Sequence, residues 1–297
     1  MMSVKTIVTH TSPDLDAITS VWIIKRFLPE WHDALVEFVP AGQRTKKIKN
    51  PNLTEVIEVT PMGEFMHVDT GMGPLDHHQT NDLNVCGASR AWDYVKLMLS
   101  NKPHDWESKQ QAIDRIVKIV VEYDHFKEIY WENPTADYYE FSLYGILEGL
   151  KFLKVDSDQY YTEFICECLD ALLHNFQNRI WAEKEIEEHG TKFQTKKGKG
   201  IGFLSLNDNV VKLAQKMGYA VVIRKDPRKG YVRIKVRPDS GIDLTLAYEK
   251  LKKMDPDATW FLHVSKKMLL NGSVKNPEMV SSNLDLDALI QAVEGAV

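Results

Sequence analysis

Residues 4–27, VKTIVTHTSPDLDAITSVWIIKRF, pass from one backbone period to another. Val4–Thr9 is a short apolar run rich in β-branched residues, which reads as a buried strand. From Asp14 to Phe27 the apolar side chains Leu15, Ile18, Val21, Trp22 and Ile24 fall near helical spacing. Between strand and helix lie His10, Asp14 and Asp16, three potential ligands within seven residues. In open α/β sheets, sites form at the carboxyl ends of strands, which is where this loop falls. Each aspartate also has an ordinary use, since carboxylates at a helix start cap free amides and suit the helix dipole.

The alternation continues outward. Leu35–Val39, Glu55–Val59 and Phe65–Asp69 read as strands, and Ala88–Leu99 and Ser108–Glu122 as helices. Tyr138–Leu150 and a stretch over 158–189 add helix without strands. The fold expected is α/β: an N-terminal, mostly parallel sheet flanked by helices, and a second, smaller α/β domain at the C-terminus. GTKFQTKKGKGIGF, from Gly190, changes composition toward lysine and glycine and marks the boundary. The expected domains are therefore 1–189 and 201–297, joined by a linker or hairpin over 190–200. Beyond it, Tyr219–Arg224, Tyr231–Val236 and Thr259–Val264 read as strands, and Leu244–Met254 and Leu286–Val293 as helices.

The 297 residues suffice for two domains. A net charge of −5 gives no global attraction to nucleic acid or anionic membrane, so any polyanion must be held by local basic groups or by metal. The three cysteines form no disulfide framework, and Cys166 and Cys168 point to different helix faces, so buried thiols in a reducing cytosol are expected. No apolar run approaches the roughly 20 residues of a membrane span, and no signal peptide is expected, because the first residues run directly into a strand pattern. A cytoplasmic protein without membrane partners is expected.

More ligand types follow downstream. Asp69 ends an apolar strand in EFMHVDTG, and His67 two residues earlier reads as mainly structural. After a turn through Gly71, Gly73 and Pro74 come Asp76, His77 and His78, and Asp124 ends the apolar helix in VVEYDHFKE. Taken singly, Asp69 fits a turn and Asp124 a helix end. Together, carboxylates and imidazoles suit Mn²⁺ or Mg²⁺ better than a thiolate-rich zinc site does. Two such ions, about 3.5–4 Å apart, need several carboxylates and one that bridges. Asp14, Asp16, Asp69 and Asp124, with His10 and His77 as neutral ligands, match that count.

HTSPDLDA has the H-x3-D-x-D spacing of the DHH phosphoesterase superfamily, and the strand-end Asp69, Asp76-His77-His78 and Asp124 follow it in family order, so residues 4 to 126 resemble that superfamily. VDTGMGPLDHHQTND is most similar to its metal-dependent hydrolase and nuclease branch, which carries a DHHQ motif, and more distantly to family II inorganic pyrophosphatases. The resemblance implies that His10, Asp14 and Asp69 hold one metal, and that Asp16, Asp69, His77 and Asp124 hold the other, with Asp69 bridging. It implies that His78 contacts the scissile phosphate, that Asp76 orients the histidines, and that a metal-bound hydroxide is the nucleophile.

The second domain is similar to the DHH-associated substrate domain. WFLHVSKKMLLNGS stands where related proteins carry a glycine-rich segment, here reduced to Asn271-Gly272. His263, Ser265, Asn271 and Gly272 are the substrate-binding residues so implied. Arg233, Arg237, Lys266 and Lys267 are candidate anion contacts by their chemistry, although alternating Arg and Lys on a strand also marks a solvated face. The expected activity is metal-dependent hydrolysis of a phosphodiester or phosphomonoester in a small nucleotide or short oligonucleotide. A pyrophosphatase or polyphosphate hydrolase and a non-catalytic nucleotide sensor remain alternatives. The oligomeric state is open, a homodimer included.

Overall fold

The computed structural model describes residues 3–99, 106–272, 276 and 278–297. The chain divides into two compact units, Met1–Gln177 and Asn178–Val297, each with its own sheet.

In the first unit, strand β1 (Lys5–His10) is buried along most of its length and leads through a polar loop into helix α1 (Leu15–Phe27). Strand β2 (Leu35–Val39) pairs parallel to one side of β1. Strand β3 (Glu58–Thr60) forms a hairpin with β4 (Gly63–His67), and β4 pairs parallel to the other side of β1. The sheet order is β2-β1-β4-β3. Because the chain leaves β1 toward β2 on one flank and β4 lies on the other, the carboxyl end of β1 is a topological switch point. Helices α2 (Gly87–Met98) and α3 (Trp106–Asp124) pack with α1 around Ile18, Trp22, Trp92, Ile113 and Ile116, all buried. Helix α4 (Leu143–Leu153) and the long α5 (Asp158–Glu188) add Leu147, Ile165 and Leu169 to that core.

The last turns of α5, from Asn178, belong to the second unit, where Ala182 and Ile186 pack with Ile201 and Phe203. The division falls upstream of the expected 189, and of the linker and hairpin readings of 190–200 the structure has the hairpin. Those residues form strand β5 (Thr191–Thr195) and the start of β6 (Gly198–Leu204), an antiparallel hairpin. Its glycines are packing devices. A Cβ on Gly202 would stand 3.0 Å from Ile290 Cδ1 and 3.1 Å from Leu286 Cδ1, and the Phe193 ring lies directly over Gly200. Helix α6 (Asn209–Lys216) crosses from β6 to β7 (Val221–Lys225), which runs parallel to β6. Strand β8 (Val232–Val236), helix α7 (Thr245–Met254), the antiparallel β9 (Trp260–Leu262) and β10 (Met268–Asn271), and helix α8 (Leu286–Glu294) complete it. Its sheet order is β5-β6-β7-β8-β10-β9. The fold is thus α/β with two sheets, as expected. No described helix is long and apolar enough to cross a membrane.

Candidate metal centre

Because β1 and β4 are parallel neighbours, their carboxyl ends deliver two loops to one place. His10 is the last residue of β1. Its Nδ1 donates to the Thr11 carbonyl at 2.9 Å, which turns Nε2 toward the loops. Asp14 caps α1, accepting from the Ala17 amide at 2.9 Å, and still lies 3.9 Å from His10 Nε2. Capping and site are thus compatible uses of one carboxylate. β4 ends at His67, two residues short of Asp69, which adopts a left-handed conformation with φ +52°.

That turn presents both Asp69 oxygens to different imidazoles. Oδ2 is 3.5 Å from His10 Nε2, and Oδ1 is 3.4 Å from His77 Nε2. His77 Nε2 is also 3.6 Å from Asp124 Oδ2 and 3.7 Å from Asp16 Oδ2. Asp69 Oδ1, His77 Nε2 and Asp124 Oδ2 are buried with no hydrogen-bond partner. Buried polar atoms are ordinarily paired, so ligand atoms without a partner around His77 Nε2 fit a cation site. His10–Asp14–Asp69, Asp69–His77–His78 and His77–Asp124–His125 each bring three ligand atoms within 4.8 Å of one another and could hold a metal ion.

Asp16 stands apart from these groups. Its carboxylate accepts from the backbone amides of Gly87 at 2.6 Å and Ala88 at 2.7 Å, at the start of α2. It therefore anchors a helix N-terminus and borders the His77 side of the centre at once. Asp76 is fully buried and accepts from the Met72 amide at 2.7 Å, the His78 amide at 3.1 Å and His78 Nδ1 at 2.7 Å. Of the two histidines it orients His78 directly, leaving that half-exposed ring with Nε2 for other contacts.

The electrostatics are those of a crowd of buried carboxylates. Burial raises the Asp16 pKa well above its ordinary value, and the charges of Asp69, Asp14 and Asp124 raise it further. Burial likewise raises Asp124. Burial opposes ionisation of Asp69, but His10 and His77 outweigh it and hold Asp69 low. Burial would lower His10, yet Asp69, the Thr11 carbonyl and Asp14 push it up to about 9. The crowd of carboxylates thus favours positive charge among them, which a divalent ion would supply.

Three contributors were not foreseen. Arg44 donates to the Gly71 carbonyl at 2.8 Å and pairs with the buried Glu58, bracing the turn that holds Asp69. His125 Nε2 donates to the Val85 carbonyl at 2.8 Å while lying 3.5 Å from Asp124 Oδ2. Gly87 leaves room at the centre, because a Cβ there would stand 2.7 Å from Asp69 Cβ and 3.0 Å from Asp16 Oδ2. The small-residue run Cys86-Gly87-Ala88-Ser89 was the available signal. Gly87→Ala should weaken Mn²⁺ binding at least about tenfold, the size of effect that displacing a supporting group has on metal sites. Titration calorimetry, with circular dichroism to verify the helices, checks this; wild-type affinity would contradict it.

His67 is structural, as expected. It is buried and its Nε2 accepts from the Thr45 amide at 3.1 Å. Burial, then the neighbouring Arg44 charge, lowers its pKa from 6.5 to about 3. Between those values the folded chain binds fewer protons here than the unfolded chain, so stability falls as pH falls and levels off above 6.5. The contribution is at most about 1.4 kcal/mol per pH unit. His67→Gln, which keeps an acceptor, should flatten this acid limb in urea midpoints measured from pH 4 to pH 7, roughly the window of the titration.

Each second-unit candidate has a contact within its own unit. The Asn271 amide group donates to the Thr259 and Val280 carbonyls, both at 2.9 Å, and its oxygen accepts from the Ser282 amide at 2.7 Å. Gly272 has φ +80° with the Tyr231 ring against its Cα, so a close approach explains it. Arg237 is held by both oxygens of Asp239, two residues on. Ser265 Oγ lies 2.8 Å from His263 Nδ1, a local contact in the β9–β10 turn. Arg233 pairs with Asp208, which also faces Arg224 Nε at 2.7 Å. Lys266 pairs with Asp243 at 3.2 Å, and Lys267 donates to the Ile242 carbonyl at 2.6 Å.

Neither a scan against protein-family models nor a search of curated proteins finds a match to this chain.

Proposed function

We propose that the chain is a metal-dependent phosphoesterase of the DHH type, with two Mn²⁺ or Mg²⁺ ions at the centre, acting on a small nucleotide or a short oligonucleotide. The observation that carries this is Asp69, whose two oxygens face two separate imidazoles, each within reach of further carboxylates. That is the arrangement a bridging ligand requires. His10, Asp14 and Asp69 would hold one ion, and Asp69, His77 and Asp124 the other, with Asp16 beside it.

The donor set favours hard cations. The nearest thiol, Cys86, is buried beside Asp16, and burial followed by the Asp16 charge raises its pKa, so it offers no thiolate for zinc. Bound ions of this kind polarise a phosphoryl oxygen and lower the pKa of water. The chain's own residues supply position. Asp76 fixes His78 through Nδ1, so that Nε2 is presented for a phosphate oxygen. His10 is oriented by the Thr11 carbonyl, and Arg44 braces the Asp69 turn.

The test is turnover by the full chain, stripped with chelator and reloaded with Mn²⁺ or Mg²⁺, on a dinucleotide, a nucleoside monophosphate and pyrophosphate. Metal-dependent cleavage of a nucleotide substrate is expected. Faster turnover of pyrophosphate would make the protein a pyrophosphatase, and tight nucleotide binding without cleavage would make it a sensor. No metal-dependent cleavage of any of them would sink the hydrolase reading.

A further inference from the structure

A helix at a protein surface ordinarily buries an apolar face and shows a polar one, and α4, LYGILEGLKFL, does not. Its inner face is unremarkable: Leu147 is fully buried, and Leu143 and Leu150 pack against the core of the first unit. Its outer face runs through Ile146, Gly149 and Leu153, whose spacing of three and four aligns them in one stripe, and all three are exposed. No charge falls on that stripe. Ile146 is 46% exposed and Leu153 81%, with Phe152 beside them at 84%. A helix that is apolar all round is ordinarily covered on every side.

The apolar surface continues past both ends of α4. Phe141, immediately before the Ser142 cap, is 95% exposed, and Val155 also stands in solvent. Lys154 Nζ lies 4.2 Å over the Tyr160 ring, which joins the end of α4 to the first turn of α5. There Tyr160 and Phe164 stack at 6.2 Å with 11° between planes, and both reach the surface. The charges of this segment are engaged within the chain, Lys151 with Glu148 at 3.1 Å and Lys154 with the ring.

We infer that this face is the contact between two copies of the chain, with α4 crossing its counterpart antiparallel at Gly149. In a twofold contact a charge near the axis meets a like charge, and the stripe carries none. Ile146 stands three residues before Gly149 and Leu153 four after it, so this crossing sets Leu153 against the partner's Ile146, and the reverse. Nothing in the chain lies within 4 Å of where a Gly149 Cβ would stand, which leaves room for the two backbones to approach at the axis. The area is also of the right size. Phe141, Ile146, Phe152, Leu153 and Val155 offer on the order of 600 Å² of apolar side chain, most of the about 800 Å² that each partner of a stable dimer buries. Tyr160 and Phe164 add to it. This contact requires neither metal nor substrate, so it stands or falls separately from the hydrolase.

The test is sedimentation equilibrium of the full chain across micromolar concentrations, where twice the chain mass is expected. Leu153→Glu, at a position open to solvent within one chain, should raise the dimer dissociation constant at least about thirtyfold, with circular dichroism to verify the helices. Gly149→Cys places a thiol on the axis, and a short bismaleimide should trap it as a covalent dimer well above the level in wild type, whose own cysteines are buried or part-buried. A monomeric wild type overturns the inference, and so does a dimer that survives Leu153→Glu, which would place the contact on another face. Loss of the dimer in Leu153→Glu without trapping through Gly149→Cys upholds the face and overturns the crossing. A monomer that binds phosphatidylcholine vesicles, and loses them in Leu153→Glu, overturns it in favour of a lipid surface.

Discussion

Asp69→Asn should abolish metal-dependent turnover while preserving the fold. Asparagine matches aspartate in shape and tolerates the left-handed backbone at this position, where φ is +52°. Alanine would add backbone strain to the loss of the carboxylate, so Asn is the cleaner probe. The amide keeps one acceptor oxygen and turns the other position into a donor, facing an imidazole or a cation. It can serve one ion but cannot join two. Charge stabilisation by bound metal is worth several kcal/mol, and each 1.36 kcal/mol is tenfold in rate, so a loss of about a thousandfold or more is expected. Initial rates on the best substrate, together with far-ultraviolet circular dichroism, decide the matter. A variant within tenfold of wild type would refute the bridging role.

Loading with Mn²⁺ should raise the melting temperature of the first unit by about 5–10 °C over the chelated protein. The ligands come from β1, the loop after β4 and the end of α3, so the unfolded chain has no comparable site. A ligand at one hundred times its dissociation constant stabilises by about 2.7 kcal/mol, and 1 kcal/mol moves the midpoint of a domain this size by roughly 2–4 °C. In the folded state the ions would also relieve the repulsion that raises Asp16 and Asp124. Scanning calorimetry with and without chelator measures the shift, and Asp69→Asn should lose most of it. A midpoint indifferent to metal and chelator would count against any cation at this centre.

The residues of the centre were legible where a strand or helix end signalled them. His10, Asp69 and Asp124 each close an apolar run, and α/β geometry puts the ends of parallel neighbours side by side. Gly87 was not legible, because its importance comes from the approach of Asp69 and Asp16, and the Asp16 carboxylate lies 71 residues away along the chain. Arg44 was hidden for the same reason, being 27 residues from the carbonyl it holds. In the second unit the residues of the loose motif echo also have a structural use. Asn271 and Gly272 look like a reduced ligand loop, yet one ties β10 to its neighbours and the other admits the Tyr231 ring. The β5–β6 hairpin was only one of two readings of 190–200, because lysine belongs on an edge strand and glycine beneath a large side chain, and both lower the apparent strand signal.

The attachment of Asp16 to the first amides of α2 makes the two halves of the centre unequal. A cation arriving beside His77 must share Asp16, both of whose oxygens already hold helix amides, whereas one arriving between His10 and Asp69 meets Asp14, which holds one helix amide through one oxygen. Occupancy should therefore proceed in order, the His10 side filling first. The protein would then pass through a stage with one ion bound as metal rises, and activity would lag behind the first equivalent bound.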